Sequence, residues 1–367
     1  SNKNTRENPR ISSIENSQRI RLGYKLKSGK SKPTYIDLFA GIGGFRVGMD
    51  HAGFQHVYSN DYDKYASQTY EAWYGPENHS CKSIWDAIED KEIPDHDILC
   101  GGFPCQPFSN AGKRLGFKDN KQGNLFEAIQ EIVEIKKPKV VFLENVRTLK
   151  GHDGGHTFDH INREMNKLGY LPTHEIINAK YWVPQNRFRI FLVYFDQNIF
   201  SLDKVNLFEQ ELEKLTDPSD KKIQKFSSIM ESNPDKSFQI PEGTWESLKK
   251  HRKRHRAAKR GFGYKRLKEE RGDFDKPTNT LSARYAKDGA EILIQQPGWE
   301  DGPRKITLNE AKKLMGFNNK YASLYGHKSR AGFPVGICSN AQSYKQFGNA
   351  VVPQLVHEIG DLIQKYI

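Results

Sequence analysis

Cysteine is scarce in this chain: Cys81, Cys100, Cys105 and Cys338 are the only four in 367 residues. None stands in a C-x-x-C pair, so the spacing of a structural zinc site is missing and no metal is expected. Four scattered thiols make no disulfide framework, which fits a reducing cytosol. Long apolar runs are lacking too. No stretch approaches the ~20 residues that a bilayer span needs, and the first 30 residues are polar and basic, without an apolar stretch of signal-peptide type. A cytoplasmic protein with no membrane partner is expected. The dinucleotide fingerprint G-x-G-x-x-G is also missing. After Gly41 and Gly43, Arg46 stands where the third glycine would be, which weakens a pyrophosphate-binding reading.

Positive charge is what the chain has in excess. Lys and Arg number 57 against 45 Asp and Glu, a balance of +12, with a pI near 9.3. This favours a polyanionic partner such as nucleic acid. Much of the excess sits in "KKHRKRHRAAKRGFGYKR", residues 249–266, which also carries Phe262 and Tyr264. The run reads as a solvated helix face or as a surface that tracks phosphates, and in so basic a chain the second reading is favoured.

The length exceeds what one core of about 150 residues holds, so two domains are expected. Residues 1–33 read as a basic arm, in which Ser12 to Glu15 forms either a capping box or part of a flexible tail. From Thr34 the texture changes. "TYIDLFAG", "FQHVYSND", "HDILCGGFP", "KVVFLENV" and "RFRIFLVYF" read as strands. "GFRVGMDHAG", "YDKYASQTYEAWYG", "GNLFEAIQEIVEIKKP" and "TFDHINREMNKLGY" read as helices between them. The alternation predicts a doubly wound α/β domain with a mostly parallel sheet over residues 34–195. After Phe195 the rhythm is lost. Residues 196–337 are expected to form a smaller, irregular domain and hinge, and 338–367 to return as a closing helical segment.

In open α/β sheets ligands bind beyond the carboxyl ends of the strands, and the informative residues fall there. The first strand runs into Gly41, Gly43 and Gly44, which permit close backbone approach of a ligand, or serve a tight turn only. The second ends in Asn60-Asp61-Tyr62. Asp61 reads equally as a ribose acceptor or as a helix cap, and Tyr62 as a ring that stacks on adenine. A further strand leads to "GGFPCQPF", where Pro104 and Pro107 stiffen the chain on both sides of Cys105. A thiol held in a set direction suits attack on an electrophilic carbon better than filling a core. Glu144, in "FLENV", is costly to bury without a partner or a task. Arg187 and Arg189, two apart in a predicted strand, share one face. They read as a structural ion-pair cluster or as holders of a polar heterocycle.

Six stretches in order, "DLFAGIGGF", "GGFPCQPFS", "ENV", "QNRFRIF", "LMGF" and "YKQFGNAVVP", resemble the DNA (cytosine-5)-methyltransferases of bacterial restriction-modification systems, in particular the HhaI type. The resemblance covers residues 34–195 and 304–367. It implies the S-adenosylmethionine-dependent methyltransferase fold and methyl transfer to C5 of a cytosine flipped from a specific duplex site, with S-adenosylhomocysteine as product. By the same resemblance Cys105 is the nucleophile toward C6, and Glu144 contacts N3 and the exocyclic amine. Arg189 holds the base and Glu144, with Arg187 in support. Phe39, Gly41, Gly43 and Gly44 line the cofactor, Asp61 binds its ribose and Tyr62 its adenine, and Asn349 and Val351 complete the pocket. Residues 109–124 look like a mobile loop that closes over DNA, and Gln106, Ser109, Lys113 and Arg114 are assigned to DNA contact. Thr280 and Leu281 in "TNTLSAR" look like the family's marker in its target-recognition domain. Arg284 and the arginines of the basic run are candidates for guanine or for phosphate. Two departures stand out: Ser83 or Ile84 where an acidic adenine contact is usual, and Asn309 where an arginine is usual. A monomer acting in the bacterial nucleoid is implied, with a cognate endonuclease encoded nearby and no direct contact to it. The alternatives are a tRNA-methylating member of the family, against which the long basic region argues, and a DNA-binding regulator that has lost activity. The absence of an "NPPY"-type motif speaks against methylation of an exocyclic amine.

Overall fold

The computed structural model describes residues 31–104, 124–327 and 332–367. Its main sheet holds β1 (Thr34–Leu38), β2 (Gln55–Asn60), β3 (His79–Ser80), β4 (Ile98–Gly102), β5 (Val140–Val146), β6 (Tyr170–Asn178) and β7 (Phe188–Asp196). Their spatial order is β3-β2-β1-β4-β5-β7-β6. Neighbours run parallel except β7, which is antiparallel to both β5 and β6. Burial is unbroken from Tyr35 to Leu38, as it must be for a central strand covered on both faces. The chain winds outward from β1 in one direction and from β4 in the other. The crevice of a doubly wound sheet therefore opens above the carboxyl ends of these two strands.

Each face has its own core. On one side α1 (Gly44–His51) and the late helix over Pro353–Gln364 pack on Phe142, Phe191 and Val193. The same side carries α2 (Lys64–Tyr74), which buries Trp73 in that core, and the other side carries α3 (Ile84–Glu89). There α4 (Leu125–Lys136) and α5 (His156–Lys167) bury Phe126, Ile129, Phe158 and Ile161 against Val141, Leu143 and Ile190. Local signals set the helix ends. Asp63 accepts from the backbone N–H of Tyr65 and Ala66 at the start of α2, and Asn124 from that of Phe126 at the start of α4. Pro138 follows the end of α4, where Lys137 takes φ 46°.

Besides the short β3 and α3, which the sequence reading did not include, two longer elements depart from it. β6 was not expected; it forms the edge of the sheet, the one place where Pro172, which lacks an N–H, is tolerated within a strand. The helical rhythm also does not stop near Phe195. Helix α6 (Leu202–Glu213), capped by Ser201, buries Phe208 against Phe195, with ring centroids 4.8 Å apart.

Beyond it the chain is irregular, as expected, but holds a long basic helix, α7 (Glu242–Ala257), whose single fully buried residue is Leu248. A small sheet of β8 (Arg266–Leu267), β9 (Leu293–Ile294) and β10 (Arg304–Lys305) closes beside it. Tyr264 of the basic run is buried under Arg252, 4.5 Å from its guanidinium carbon, whereas Phe262 is 69% exposed. Helix α8 (Leu308–Leu314) opens with a capping box of Thr307 and Glu310. Glu310 also makes a fully buried two-point ion pair with Arg304, at 2.8 and 2.9 Å. Asn309, where an arginine was expected, is exposed. After α9 (Asn319–Ala322), helices α10 (Asn340–Asn349) and α11 (Pro353–Gln364) return to the main sheet.

That return is possible because α1 lacks side chains where α11 crosses it. A Cβ on Gly44 would lie 2.1 Å from the carbonyl oxygen of Val351, and one on Gly48 would lie 2.5 Å from the Val356 side chain. Gly48→Ala is therefore expected to lower the unfolding free energy by about 1–3 kcal/mol through overpacking, although alanine is the better helix former. Gly243→Ala in α7, where a Cβ meets nothing within 4 Å, should leave it unchanged or slightly raised. Denaturant unfolding of both variants checks the contrast.

Candidate active site

The loop after β1 is built around unusual backbone. Phe39, Gly41 and Gly43 take positive φ values of 54°, 55° and 86°. For Phe39, a bulky L-residue, this is a strained conformation of the kind that persists where surrounding structure fixes it. The ring lies beside Gly101 on β4, where a Cβ would stand 3.7 Å from Phe39 Cδ2, an ordinary contact distance. The Gly41 N–H donates to Asp61 Oδ2 at 2.7 Å, and Asp63 N–H donates to Oδ1 at 2.8 Å. Burial pushes the Asp61 carboxyl upward, and those two N–H groups hold it down. Each carboxylate oxygen keeps a further lone pair for an incoming hydroxyl. Tyr62 is 79% exposed beside it, and Asn349 is exposed at the end of α10.

The three glycines do different work. A Cβ on Gly41 would meet nothing within 4 Å, so open space borders the turn at that point. Gly43 instead faces Tyr74, at 2.5 Å from a built Cβ, and Gly44 faces Val351. Those two were expected to line the cofactor; what their missing side chains do here is leave room for packing from behind. Val351 is buried in the contact with Gly44. Among the expected cofactor residues, Phe39, Gly41, Asp61, Tyr62 and Asn349 leave free surface or free acceptor capacity for a bound adenosyl group.

Glu144 sits at the carboxyl end of β5, buried, opposite Gly102 in the β4–β5 register. A Cβ at position 102 would come within 3.2 Å of Glu144 Oε2, so glycine leaves that carboxylate its space. Arg189 Nε lies 3.2 Å from Glu144 Oε1, and its Nη1 donates to the Phe188 carbonyl at 2.8 Å. Burial raises the Glu144 carboxyl above the usual carboxylate range, against the pull of Arg189 and then of Arg187. Cys105, with Gln106, Ser109, Lys113 and Arg114, lies outside the described residues, three positions beyond Gly102.

Arg187 has a different task from the one expected. It precedes β7 rather than sharing its ladder, and it turns inward. Its Nη1 donates to the Leu281 carbonyl at 2.9 Å and to Gln185 Oε1 at 3.3 Å. Nη2 donates to the carbonyls of Gly348 and Ala350 at 2.8 and 3.0 Å. Burial pushes this guanidinium down to about 9, which still leaves it charged at neutral pH. The neighbouring Thr280 Oγ1 donates to the Asn186 carbonyl at 2.6 Å, and the Leu281 N–H donates to Gln185 Oε1 at 2.9 Å. Leu281, expected at the DNA surface, is fully buried in the main core. Arg284, three residues on, is exposed and has no ion-pair partner among the described residues.

Sequence reasoning missed two residues. Asp37, in the middle of β1, is fully buried, and neither carboxylate oxygen makes a hydrogen bond of normal geometry. Burial raises its carboxyl well above the ordinary range, with Arg46 opposing. A charged residue inside "YIDLF" was the available signal. Arg46, noted only as a missing glycine, forms a buried pair with Asp50 at 2.8 Å, donates to Tyr70 Oη at 3.1 Å and lies over the Tyr74 ring. Tyr74 in turn donates to the Ile42 carbonyl at 2.8 Å, so this cluster buttresses the glycine turn. The i,i+4 spacing of Arg46 and Asp50 was its legible trace. Ser83 caps α3 through the Trp85 N–H at 3.2 Å. Among the described residues no group of three His, Cys, Asp or Glu side chains could hold a metal ion, and no helix is long and apolar enough to cross a membrane.

The two arginines should separate in a stability assay. Arg187→Met leaves buried carbonyls unpaired and is expected to lower the unfolding free energy by about 2–4 kcal/mol. Arg189→Met breaks a mostly buried pair, but Glu144 can relieve its charge by taking up a proton, so the loss should be smaller, about 1–2 kcal/mol. Chemical denaturation of both variants measures the difference.

A family model of the C-5 cytosine-specific DNA methylases matches residues 34–365. The type II methyltransferase M.NlaX of Neisseria lactamica is 42% identical over 329 residues, 89% of this chain and 94% of that protein. M1.ScrFI of Lactococcus lactis subsp. cremoris is 39% identical, over 90% of this chain and 78% of its own. M.HhaI of Haemophilus parahaemolyticus, the type the motifs suggested, is 35% identical over 89% and 92%. Among solved structures, that of S. pombe Dnmt2 methyltransferase matches with a TM-score of 0.64 at 16% identity, covering 91% of this chain and 99% of that one. That likeness concerns the fold alone and agrees with the expected doubly wound architecture. With six motifs in order along a sheet of this topology, and a family match running from the first strand into the last helix, the chain belongs to the C-5 cytosine-specific DNA methylases.

Proposed function

We propose that this chain methylates C5 of a cytosine turned out of a short duplex site through a transient bond between Cys105 and C6, as the modifying member of a type II restriction-modification system. The observation that carries the mechanism is the mostly buried Glu144–Arg189 pair at the carboxyl edge of β5, opposite Gly102. The printed names of the relatives support the biological setting. In that setting the chain acts as a monomer on bacterial DNA, beside an endonuclease it does not touch.

S-adenosylmethionine, when bound, supplies an electrophilic methyl group. Gly41, Asp61, Tyr62 and Asn349 are the residues that would hold it: open space at the turn, acceptor oxygens for hydroxyls and an exposed ring for the adenine. Cytosine C5 is by itself a poor nucleophile. Addition of the Cys105 thiolate to C6 opens the C5–C6 double bond and pushes charge toward N3. Glu144 meets that charge with its proton, and Arg189 orients both the carboxyl and the base. The enamine carbon C5 so formed is nucleophilic enough to take the methyl that the cofactor would supply; once C5 carries it, loss of the C5 proton to a base expels the thiolate and restores the ring. A base can reach Glu144 only after leaving the stack. The exposed Arg284 and the basic face of α7 supply the positive surface for the duplex.

Labelled methyl transfer to duplex DNA tests the reaction. A duplex with 5-fluorocytosine at the target should trap wild-type protein as a covalent adduct, because fluorine cannot leave as a proton does. Cys105→Ala should form no adduct and lose turnover; full turnover by that variant would overturn the mechanism. A second expectation concerns pH. A raised carboxyl stays neutral to higher pH than an exposed glutamate, so kcat should fall as pH rises through its titration. Glu144→Gln should remove that descending limb and reduce kcat by about 10²-fold or more. A pH profile of both proteins under single-turnover conditions decides it.

A further inference from the structure

Just outside the Glu144–Arg189 pair, at the rim of the sheet, three side chains are left to solvent with no structural duty. Val146 ends β5 and pairs with Arg189 in the last step of the β5–β7 register. Arg147 follows it, and Phe188 precedes Arg189, so the next position outward belongs to these two. The Arg147 guanidinium carbon lies 4.9 Å from the centroid of the Phe188 ring. Phe188 is 38% exposed, as is Val146, and Arg147 is exposed too. Arg147 has no carboxylate partner among the described residues. Strand alternation puts Glu144, Val146 and Arg189 on one face of the sheet edge and Phe188 on the other.

Phe188 shows part of its ring at the rim, and the guanidinium lying on it, without a carboxylate partner, gains only a modest cation–π attraction there. The stack has a further effect. It fixes the guanidinium while leaving its N–H edges free, in the fork that suits a phosphate. Turning a nucleotide out of a duplex swings its backbone toward the enzyme, and the phosphates that flank it must be held where the base enters.

We propose that Arg147, held by the Phe188 ring, clamps a phosphate next to the target cytosine in the DNA strand that carries it. The clamp anchors the backbone on one face of the sheet edge while Glu144 and Arg189 receive the base on the other. The inference rests on the reading of the chain as a DNA cytosine methylase. It assigns the ring at position 188 a task of its own: orienting a cation.

The test uses the full chain, with a duplex that wild-type protein methylates, its target mapped by bisulfite sequencing. Single neutral methylphosphonate linkages replace the phosphates on each side of the target in turn. One such linkage is expected to weaken wild-type binding about tenfold and to leave Arg147→Gln unaffected beyond its own loss. Arg147→Gln should raise the KM for DNA about tenfold with kcat and cofactor affinity little changed, and should reduce the slope of log K against log salt by about one. Phe188→Leu should show the same KM rise with a smaller change in slope, because its charge count is intact. Thermal melts of all variants confirm folding, and Arg147→Lys, which keeps the charge but not the planar fork, serves as a second variant with an intermediate loss. The clamp is overturned if Arg147→Gln binds DNA like wild type, or if it loses as much as wild type with every neutral linkage. Failure of wild-type protein to methylate any duplex would instead overturn the reading beneath it, and the two failures are distinct.

Discussion

One buried cation holds this architecture together. The guanidinium of Arg187 binds backbone carbonyls of Leu281, Gly348 and Ala350, residues that lie 94 to 163 positions away along the chain. Through it the start of β7, the loop that leads into the exposed Arg284, and the segment that joins α10 to α11 meet at one point. A charge taken out of water costs several kcal/mol unless its donors are matched; here the bonds at Nη1 and Nη2 offset that cost while Nε makes none, so these segments cannot drift apart without exposing it. The edge of the sheet that carries Glu144 and Arg189 thereby gains a fixed frame on the side of the irregular domain.

Within that frame, polar groups are buried in a graded way. Arg304 and Glu310 satisfy one another at two points and sit fully out of solvent, which fits a structural joint between the small sheet and α8. Glu144 and Arg189 touch through one longer contact and remain partly open. A pair with spare hydrogen-bonding capacity can exchange partners with a base; a pair that has used all of it cannot. The same contrast separates the glycines. Gly41 borders open space, while Gly43, Gly44 and Gly48 are places where the protein needs its own atoms close together.

Much of this could be read from residues adjacent in the chain. The apolar run before Gly41, the prolines on both sides of Cys105 and the lone acid in "FLENV" are local statements about backbone and desolvation, and they pointed to the sheet and to the edge at which the proposed chemistry sits. What escaped depends on partners distant in sequence. Arg187 and Arg189 do share a face by alternation, but the ladder begins at Phe188, so alternation does not govern where Arg187 points. Leu281 looked like a surface marker because nothing near it shows that Gln185 and Arg187 draw its backbone inward. β6 was hidden by a proline that only an edge position excuses, and edge position is a property of the assembled sheet. The buttress behind the glycine turn joins Arg46 to Tyr70 and Tyr74, one helix further on.

The seat of Val351 against Gly44 has a consequence for the order of folding. The turn after β1 is packed from behind by a carbonyl more than 300 residues further along the chain. Closing a contact of that separation costs loop entropy that only a largely assembled sheet can offset. The strands can pair before it forms, but the turn gains its backing when α10 and α11 dock. The glycine turn is thus finished by the same event that completes the core on that face.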